Sequence, residues 1–325
     1  MSRLPPAPAP FIRPLMAPSQ PRLSLSIVVP TYRRANSLGR LVDALMPQIG
    51  SRPDRELIIV NDGGHDAGYD SAIARHRAGL TYLVAARNGG PGAARNLGAK
   101  AAKGDFLVFI DDDCVAPPDW LDTLATILAD HPEFDAVGGQ TQPLISARPG
   151  FFERLLIEAG CYPNPIYYDG FLIVMVSACL AVRRSVFDRL GGFDERLVLA
   201  AEDRNLTTRL RLARTTLAIA PLWFVFHDMA ATPRQHFRRF FNYGRGVSLA
   251  IAVEAQALDR TYWPPNHRRS RYWLQRARAR FLAARRLVRT PPGIFGALAV
   301  FLLTATNLTM DAGYAVAERR RARRD

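Results

Sequence analysis

Four short apolar runs, at residues 25–29, 57–60, 81–84 and 106–110, alternate with segments of helical spacing. That alternation restricts the fold of this chain more than any other feature. Leu38, Leu41, Val42, Leu45, Met46 and Ile49 fall on one helical face, and Gly50 closes the helix. A glycine-rich turn leads into a helix over 93–101, and a further helix over 117–129 has proline at its start. Strands separated by helices in this way predict a mostly parallel sheet with right-handed crossovers. With 325 residues and 48% apolar content, the chain can bury a full core as one large domain, or as a domain with an appendage. No internal repeat is present.

The fourth run, Phe106-Leu107-Val108-Phe109-Ile110, reads as a buried strand with three carboxylates, Asp111, Asp112 and Asp113, at its carboxyl end. In open α/β sheets, ligands bind just beyond the carboxyl ends of strands. Three adjacent carboxylates repel one another unless a cation compensates them. The natural partner is a hard divalent ion with positions left for phosphate oxygens, Mn2+ or Mg2+. Other run ends point to the same rim. The first run leads into Pro30-Thr31-Tyr32 and the second into Asn61-Asp62-Gly63-Gly64. The third precedes Asn88-Gly89-Gly90-Pro91-Gly92-Ala93-Ala94-Arg95-Asn96, which places glycines and then Arg95 at a helix entrance. Amide groups and a guanidinium there can hold phosphate. Each piece also has a plain structural use, as a turn, a packing aromatic or a solvated helix face. Their joint placement is what points to a site.

These pieces, in order, resemble the family 2 glycosyltransferases. The matching residues are Ser26-Ile27-Val28-Val29-Pro30-Thr31-Tyr32, Ile58-Ile59-Val60-Asn61-Asp62-Gly63, then Asn88, Gly90, Pro91, Ala94, Arg95 and Asn96, then Asp111-Asp112-Asp113. Further on come Ala181-Val182-Arg183-Arg184-Ser185-Val186-Phe187, Gly191-Gly192-Phe193-Asp194-Glu195 and Glu202-Asp203, followed by Leu206 and Arg209. The likeness covers residues 24–230, and the ordered set is more specific than any one piece. Asn61 departs from the family, which more often has Asp there.

The resemblance implies a GT-A fold, that is, an α/β, Rossmann-like, mostly parallel sheet with flanking helices. It also implies inverting transfer from a nucleotide-sugar donor, commonly a uridine one. Pro30, Thr31 and Tyr32 would line the nucleobase pocket, with Asp62 accepting a hydrogen bond from the base. Arg95 would support the diphosphate or the acidic cluster. Asp111 would lean toward the ribose and also reach the metal, with Asp112 beside it and Asp113 as the metal ligand. Asp203 would take the proton from the acceptor hydroxyl, and Glu202 would lie near the sugar or the acceptor. His227, at the end of the apolar run 222–226, matches a position that holds metal or diphosphate in some relatives. Arg234, Arg238, Arg239, Tyr243, Gly244 and Arg245 form a basic, aromatic stretch beyond it, suited to donor or acceptor phosphate or to a solvated helix face.

The chemistry needs these residue types. A single displacement at the anomeric carbon builds charge on a diphosphate leaving group, which a divalent ion offsets, while a carboxylate on the opposite face activates the hydroxyl. Two other classes fit less well. A sugar nucleotidyltransferase would want a glycine-rich loop after the first strand, where this chain has Thr31-Tyr32-Arg33-Arg34. A non-catalytic membrane-binding module would have no use for both Asp113 and Asp203.

The net charge of +14 is uneven, because residues 256–325 hold fifteen arginines against four acids, a net +11. Nucleic acid and an anionic membrane are both candidates for such a patch. Within 268–289, Trp273, Ala277, Phe281, Ala284 and Val288 share one helical stripe among arginines, which favours a membrane surface and gives no reason to expect nucleic acid. Residues 293–310 form an uncharged run diluted by Thr304, Thr306, Asn307 and Thr309, which favours a helix in the membrane interface or re-entrant over a true span or a helix packed on the domain. A lipid-linked or surface glycan acceptor follows from that tail. The expected organisation is a disordered proline-rich lead-in (1–22), a catalytic domain (23–255) and a basic, apolar helical appendage (256–325). The lead-in lacks the apolar core of a signal peptide, which places the folded part on the cytosolic face of the membrane. Cys114, Cys161 and Cys179 have no paired spacing and read as free thiols.

Overall fold

The computed structural model describes residues 23–50, 52–63, 68–161, 163–168, 171–229, 232–257 and 294–322. The proline-rich lead-in and the amphipathic stripe at 268–289 lie outside the described residues. The strands are β1 (Leu25–Thr31), β2 (Arg55–Asn61), β3 (Thr81–Val84), β4 (Phe106–Phe109), β5 (Cys114–Val115), β6 (Ala136–Leu144), β7 (Ile166–Tyr168), β8 (Phe171–Val174), β9 (Leu180–Arg183) and β10 (Leu217–Asp228). The helices are α1 (Ala35–Ile49), α2 (Gly68–Ile73), α3 (Pro91–Ala101), α4 (Trp120–Asp130), α5 (Phe151–Glu158), α6 (Arg184–Arg189), α7 (Glu202–Leu212), α8 (Pro233–Ala257) and α9 (Ile294–Arg321).

The main sheet has the order β3-β2-β1-β4-β9-β6-β10-β5, with β7 and β8 forming a separate hairpin. Its first half is parallel, as the alternation predicts: β3, β2, β1 and β4 all run the same way. The second half keeps one parallel pair, β6 with β10, and adds antiparallel ones, so the sheet stays mostly parallel. Strand β9 is antiparallel to both β4 and β6, and β5 is antiparallel to β10. Beyond β4 the chain lacks the strand–helix rhythm that signals crossovers, and β9 enters the sheet by long-range pairing that local sequence does not announce.

Successive residues of each strand supply opposite faces. Ile27, Val29, Leu57, Ile59, Phe106 and Val108 join one cluster with Leu38, Leu41, Leu45, Trp120 and Trp223. Val28, Ile58, Val60, Leu107 and Phe109 join the other with Ala94, Phe187, Phe193 and Leu206. This two-sided burial explains why the strands read as unbroken apolar runs rather than alternating ones. On the first face, Trp120 and Trp223 stack at 5.3 Å between ring centroids, and the Trp223 indole donates to the Trp120 carbonyl at 3.1 Å. On the second, Phe109 meets Phe187 and Phe193 at 5.4 and 5.1 Å. A fully buried Leu, Ile or Phe here contributes roughly 1.5–3 kcal/mol relative to exposure.

The run read as an interfacial or re-entrant element forms the first part of α9, which packs along one side on α8 and α5. Ala299 and Leu302 of α9 pack with Leu155, Leu156 and Ala159, flanked by Phe237. The diluting threonine now has a partner, since Thr306 Oγ1 lies 2.7 Å from His236 Nε2 in a buried pair. A Cβ at Gly244 would run into the Met310 carbonyl, and one at Gly313 into Phe241, so glycines set the closest approach of the two helices. On the outer side, Leu298, Phe301 and Leu308 are exposed. Among the described residues, no helix is long and apolar enough to cross a membrane.

Candidate active site

The expected residues meet at the carboxyl ends of β1, β2 and β4 and at the start of α7. Parallel register puts the ends of β1 and β4 side by side, which brings Thr31 to Asp112. Thr31 Oγ1 lies 2.7 Å from Asp112 Oδ2 and 3.1 Å from Tyr69 Oη. The carboxylate can only accept, so the Thr31 proton goes to Asp112 and the Tyr69 hydroxyl donates to Thr31. Asp62, at the end of β2, accepts from the backbone amides of Gly89 and Gly90 at 2.9 and 2.8 Å. Burial pushes its carboxyl up and those two amides draw it back. Gly90 has φ 86° with the Val198 backbone directly beside it, so a side chain there would meet both a steric and a conformational obstacle. Tyr32 is 38% exposed, with the Arg33 guanidinium 5.1 Å from its ring centroid.

Arg95 joins two distant parts of the chain. Its buried guanidinium donates to Asp111 Oδ1 at 2.5 Å and to Glu202 Oε1 at 2.8 Å, across 107 residues of sequence from Arg95 to Glu202. Glu202 opens α7, and the preceding Ala201 takes the left-handed conformation (φ 72°), a strained geometry for a residue with a Cβ. Beside Glu202, the half-buried Asp203 accepts from the Arg204 amide at 2.7 Å. Burial, and then Glu202, push its carboxyl up to about 7.

Asp112 and Asp113 divide their charge unequally. Burial and then the neighbouring Asp113 push Asp112 up to about 7. Asp113 is also buried, but His227, Arg34 and Arg239 together hold its carboxyl below the usual range. Its Oδ2 faces Arg34 at 2.7 Å and Arg239 at 3.3 Å. Its Oδ1 is buried and makes no hydrogen bond. His227 Nε2 is 3.4 Å from that oxygen, without hydrogen-bond alignment. His227 Nδ1 donates to the Asp228 carbonyl at 2.7 Å, so in the neutral imidazole Nε2 turns a lone pair toward Asp113 Oδ1. The charged imidazole turns its Nε2–H toward Asp113, whereas the neutral one leaves two facing lone pairs that a cation between them would satisfy. Asp113 Oδ1 and His227 Nε2 therefore fit a divalent metal, and the buried Cys114 thiol lies in the same cluster, with all ligand atoms within 4.8 Å of one another. Asp111, expected to share the metal, is held by Arg95 and stands outside that cluster.

Sequence reading misses Arg34 and Tyr69, assigns the Gly89 and Gly90 amides to phosphate where the structure turns them onto Asp62, and takes Arg239 only as part of a basic stretch. For Arg34 a signal existed. A basic residue three positions beyond Thr31 must lie near the acids at the end of β4 whenever the first and fourth runs are neighbours.

The family model of glycosyl transferase family 2 matches residues 26–191, which include the site residues at the ends of β1, β2 and β4. The chain is 29% identical over 246 residues to the pre-mycofactocin glycosyltransferase of Mycobacterium tuberculosis, covering 74% of this chain and 50% of that one, so it spans half that relative's length. It is 25% identical over 232 residues to the O-antigen chain rhamnosyltransferase RfbN of Salmonella typhimurium, covering 68% and 72% of the two chains. Among solved structures, the mannosyltransferase PcManGT from Pyrobaculum calidifontis in complex with GDP-Man and Mn2+ superposes with a TM-score of 0.59 at 21% identity, covering 91% and 86%. Staphylococcus aureus TarS 1–349 in complex with UDP does so with 0.52 at 17% identity, covering 93% and 92%. These likenesses establish a GT-A fold, and the extent of the family match establishes that this chain belongs to glycosyl transferase family 2.

Proposed function

We propose that this protein is an inverting glycosyltransferase that moves a sugar from a nucleotide-diphosphate donor, a uridine one by preference, to an acceptor hydroxyl. The observation that carries the reading is the Arg95 bridge, which brings the acidic end of β4 and the Glu202-Asp203 start of α7 into one site. Asp113 and His227 would hold the divalent ion, with Asp111 and Asp112 beside it, and the ion would offset the charge that grows on the leaving diphosphate. Pro30, Thr31 and Tyr32 would border the nucleobase. Asp62, with both oxygens already held by backbone amides, keeps lone pairs for a base N–H. Arg95 and Glu202 fix Asp203 relative to the strand ends. The Asp203 carboxylate takes the acceptor proton as the new oxygen–carbon bond forms at the anomeric centre. The bond from that carbon to the diphosphate oxygen breaks, and the nucleoside diphosphate leaves with the electron pair. A carboxyl raised to about 7 suits a base working near neutral pH.

The acceptor is a glycan on a lipid carrier or at the cell surface, reached from the cytosolic face. This is supported by the +11 charge of residues 256–325 and by the exposed Leu298, Phe301 and Leu308 of α9. Relatives named for O-antigen synthesis agree with it. The domain limits we favour are 23–255 for the catalytic part and 256–325 for the membrane-facing part.

The test begins with a thermal-shift screen of nucleotide sugars in Mn2+, followed by transfer assays with the donor so identified. Asp203→Asn should lower turnover by roughly 10²–10⁴ while leaving donor affinity nearly intact. Wild-type turnover in that variant with a non-activated acceptor would remove Asp203 from the mechanism.

A further inference from the structure

Arginines already hold Asp112 and the Asp113 oxygen that faces away from His227, and so compete by charge with an ion on the other one. Arg34 Nη1 lies 3.0 Å from Asp112 Oδ1 and 2.7 Å from Asp113 Oδ2, so one nitrogen bridges both carboxylates. Arg239, from α8, reaches the same Asp113 oxygen at 3.3 Å. Together with Arg95, these guanidiniums set three positive charges against five carboxylates, those of Asp111, Asp112, Asp113, Glu202 and the adjacent Asp203. A divalent ion added alone would cancel this excess of negative charge and weaken the hold of Asp113 on Arg34. A diphosphate arriving with it would give the freed guanidinium a partner.

Arg34 is built to yield. Its amide donates to Tyr69 Oη at 3.2 Å, and Arg33 before it takes a left-handed turn (φ 55°), so the main chain is held in place. Its side chain is 48% exposed, in contrast with the 3% of Arg95, and it can leave Asp112 and Asp113 without opening the core. A guanidinium released at this rim is well matched to phosphate, which it can grip through two parallel N–H donors.

We propose that Arg34 is a donor-positioning residue that offsets the charge of Asp112 and Asp113 in the free protein and turns onto the diphosphate when metal and nucleotide bind together. The proposal rests on the reading of this rim as a metal-dependent nucleotide-sugar site. It requires removal of Arg34 to have two effects of opposite sign. Mn2+ alone loses a competitor and binds more tightly, whereas the nucleotide in saturating Mn2+ loses a partner and binds more weakly.

Calorimetric titration of Mn2+ alone, and then of UDP or GDP in saturating Mn2+, should be run on wild type, Arg34→Gln and Arg34→Lys. For Arg34→Gln we expect Mn2+ affinity to rise about tenfold and nucleotide affinity to fall about tenfold, each equal to about 1.4 kcal/mol, with Arg34→Lys between. In a thermal melt without metal, Arg34→Gln should unfold below wild type and regain the difference in Mn2+, because the carboxylates it leaves uncompensated are then neutralised. Mn2+ binding to Arg34→Gln no tighter than to wild type, or nucleotide binding undiminished, overturns the proposal. Failure of wild type itself to bind either nucleotide in Mn2+ overturns the donor reading beneath it, and only that result touches both.

Discussion

The strand-end rim and the α8–α9 layer both bury charged and polar groups, yet they treat them differently. In the helical layer the named groups close on each other: His236 with Thr306, Ser248 with Glu318, and Arg204 of α7 with Glu254 of α8. At the rim, Asp113 keeps a buried oxygen with no donor, and two carboxyls, Asp112 and Asp203, are pushed up to about 7 by burial and like charge. Polar groups that satisfy one another hold helices in register. Groups left strained and open to a cleft mark the place where a ligand completes the set. The rim is therefore read as the site and the helical layer as its support, with Arg239 reaching from one to the other.

The largest effect should come from cutting the link within the rim. Arg95→Met would leave Asp111 and Glu202 without their buried partner, at a cost of about 3–5 kcal/mol. Denaturant unfolding reads this directly. A loss below 1 kcal/mol would mean that the two halves of the site are held together by something other than this bridge.

Membrane attachment is the corresponding test of the helical side. Anionic vesicles should float the full chain, with attraction on the order of 1 kcal/mol per arginine near the surface, weakened by salt. A residue of binding that salt does not remove should remain from the apolar stripe of α9. Equal flotation with neutral vesicles would shift the weight from charge to apolar insertion, and no flotation with either would remove the membrane from the account.

Much of the rim could be read from the chain because polar residues at strand ends sit next to runs that announce themselves. Asp62, Asp111, Asp112 and Asp113 each follow an apolar run, and parallel pairing aligns those ends without further information. Strand β9 gives no such notice. Ala181, Val182 and Arg183 match as motif without being placed in the sheet, and the antiparallel insertion of the strand between β4 and β6 depends on partners far along the chain. Arg34 was missed for a related reason. Its role arises only once β1 and β4 are neighbours, and as one of two arginines after a strand it looks like a solvated turn. The burial of Thr306 against His236 shows the same limit in α9, where threonines taken as dilution of an apolar run became its internal partners.

A smaller effect separates the two raised carboxyls. If Asp203 is the base, it must be ionised to act, and with a folded-state pKa of about 7 the rate constant kcat/KM should climb through neutral pH and level off above it. The climb should approach tenfold per pH unit on the acid side. Asp203→Asn should abolish this limb, and persistence of the limb in that variant would assign it to Asp112 or another group.

The central claim is that Asp113 serves the metal and donor while Asp203 serves the acceptor, within one site. Calorimetric titration of UDP or GDP, with and without Mn2+, into wild type, Asp113→Asn and Asp203→Asn tests it most directly. Nucleotide affinity should depend on Mn2+ in wild type and in Asp203→Asn, and that dependence should be lost in Asp113→Asn. Equal affinity with and without Mn2+ in wild type, or loss of the dependence in Asp203→Asn as well, would contradict it.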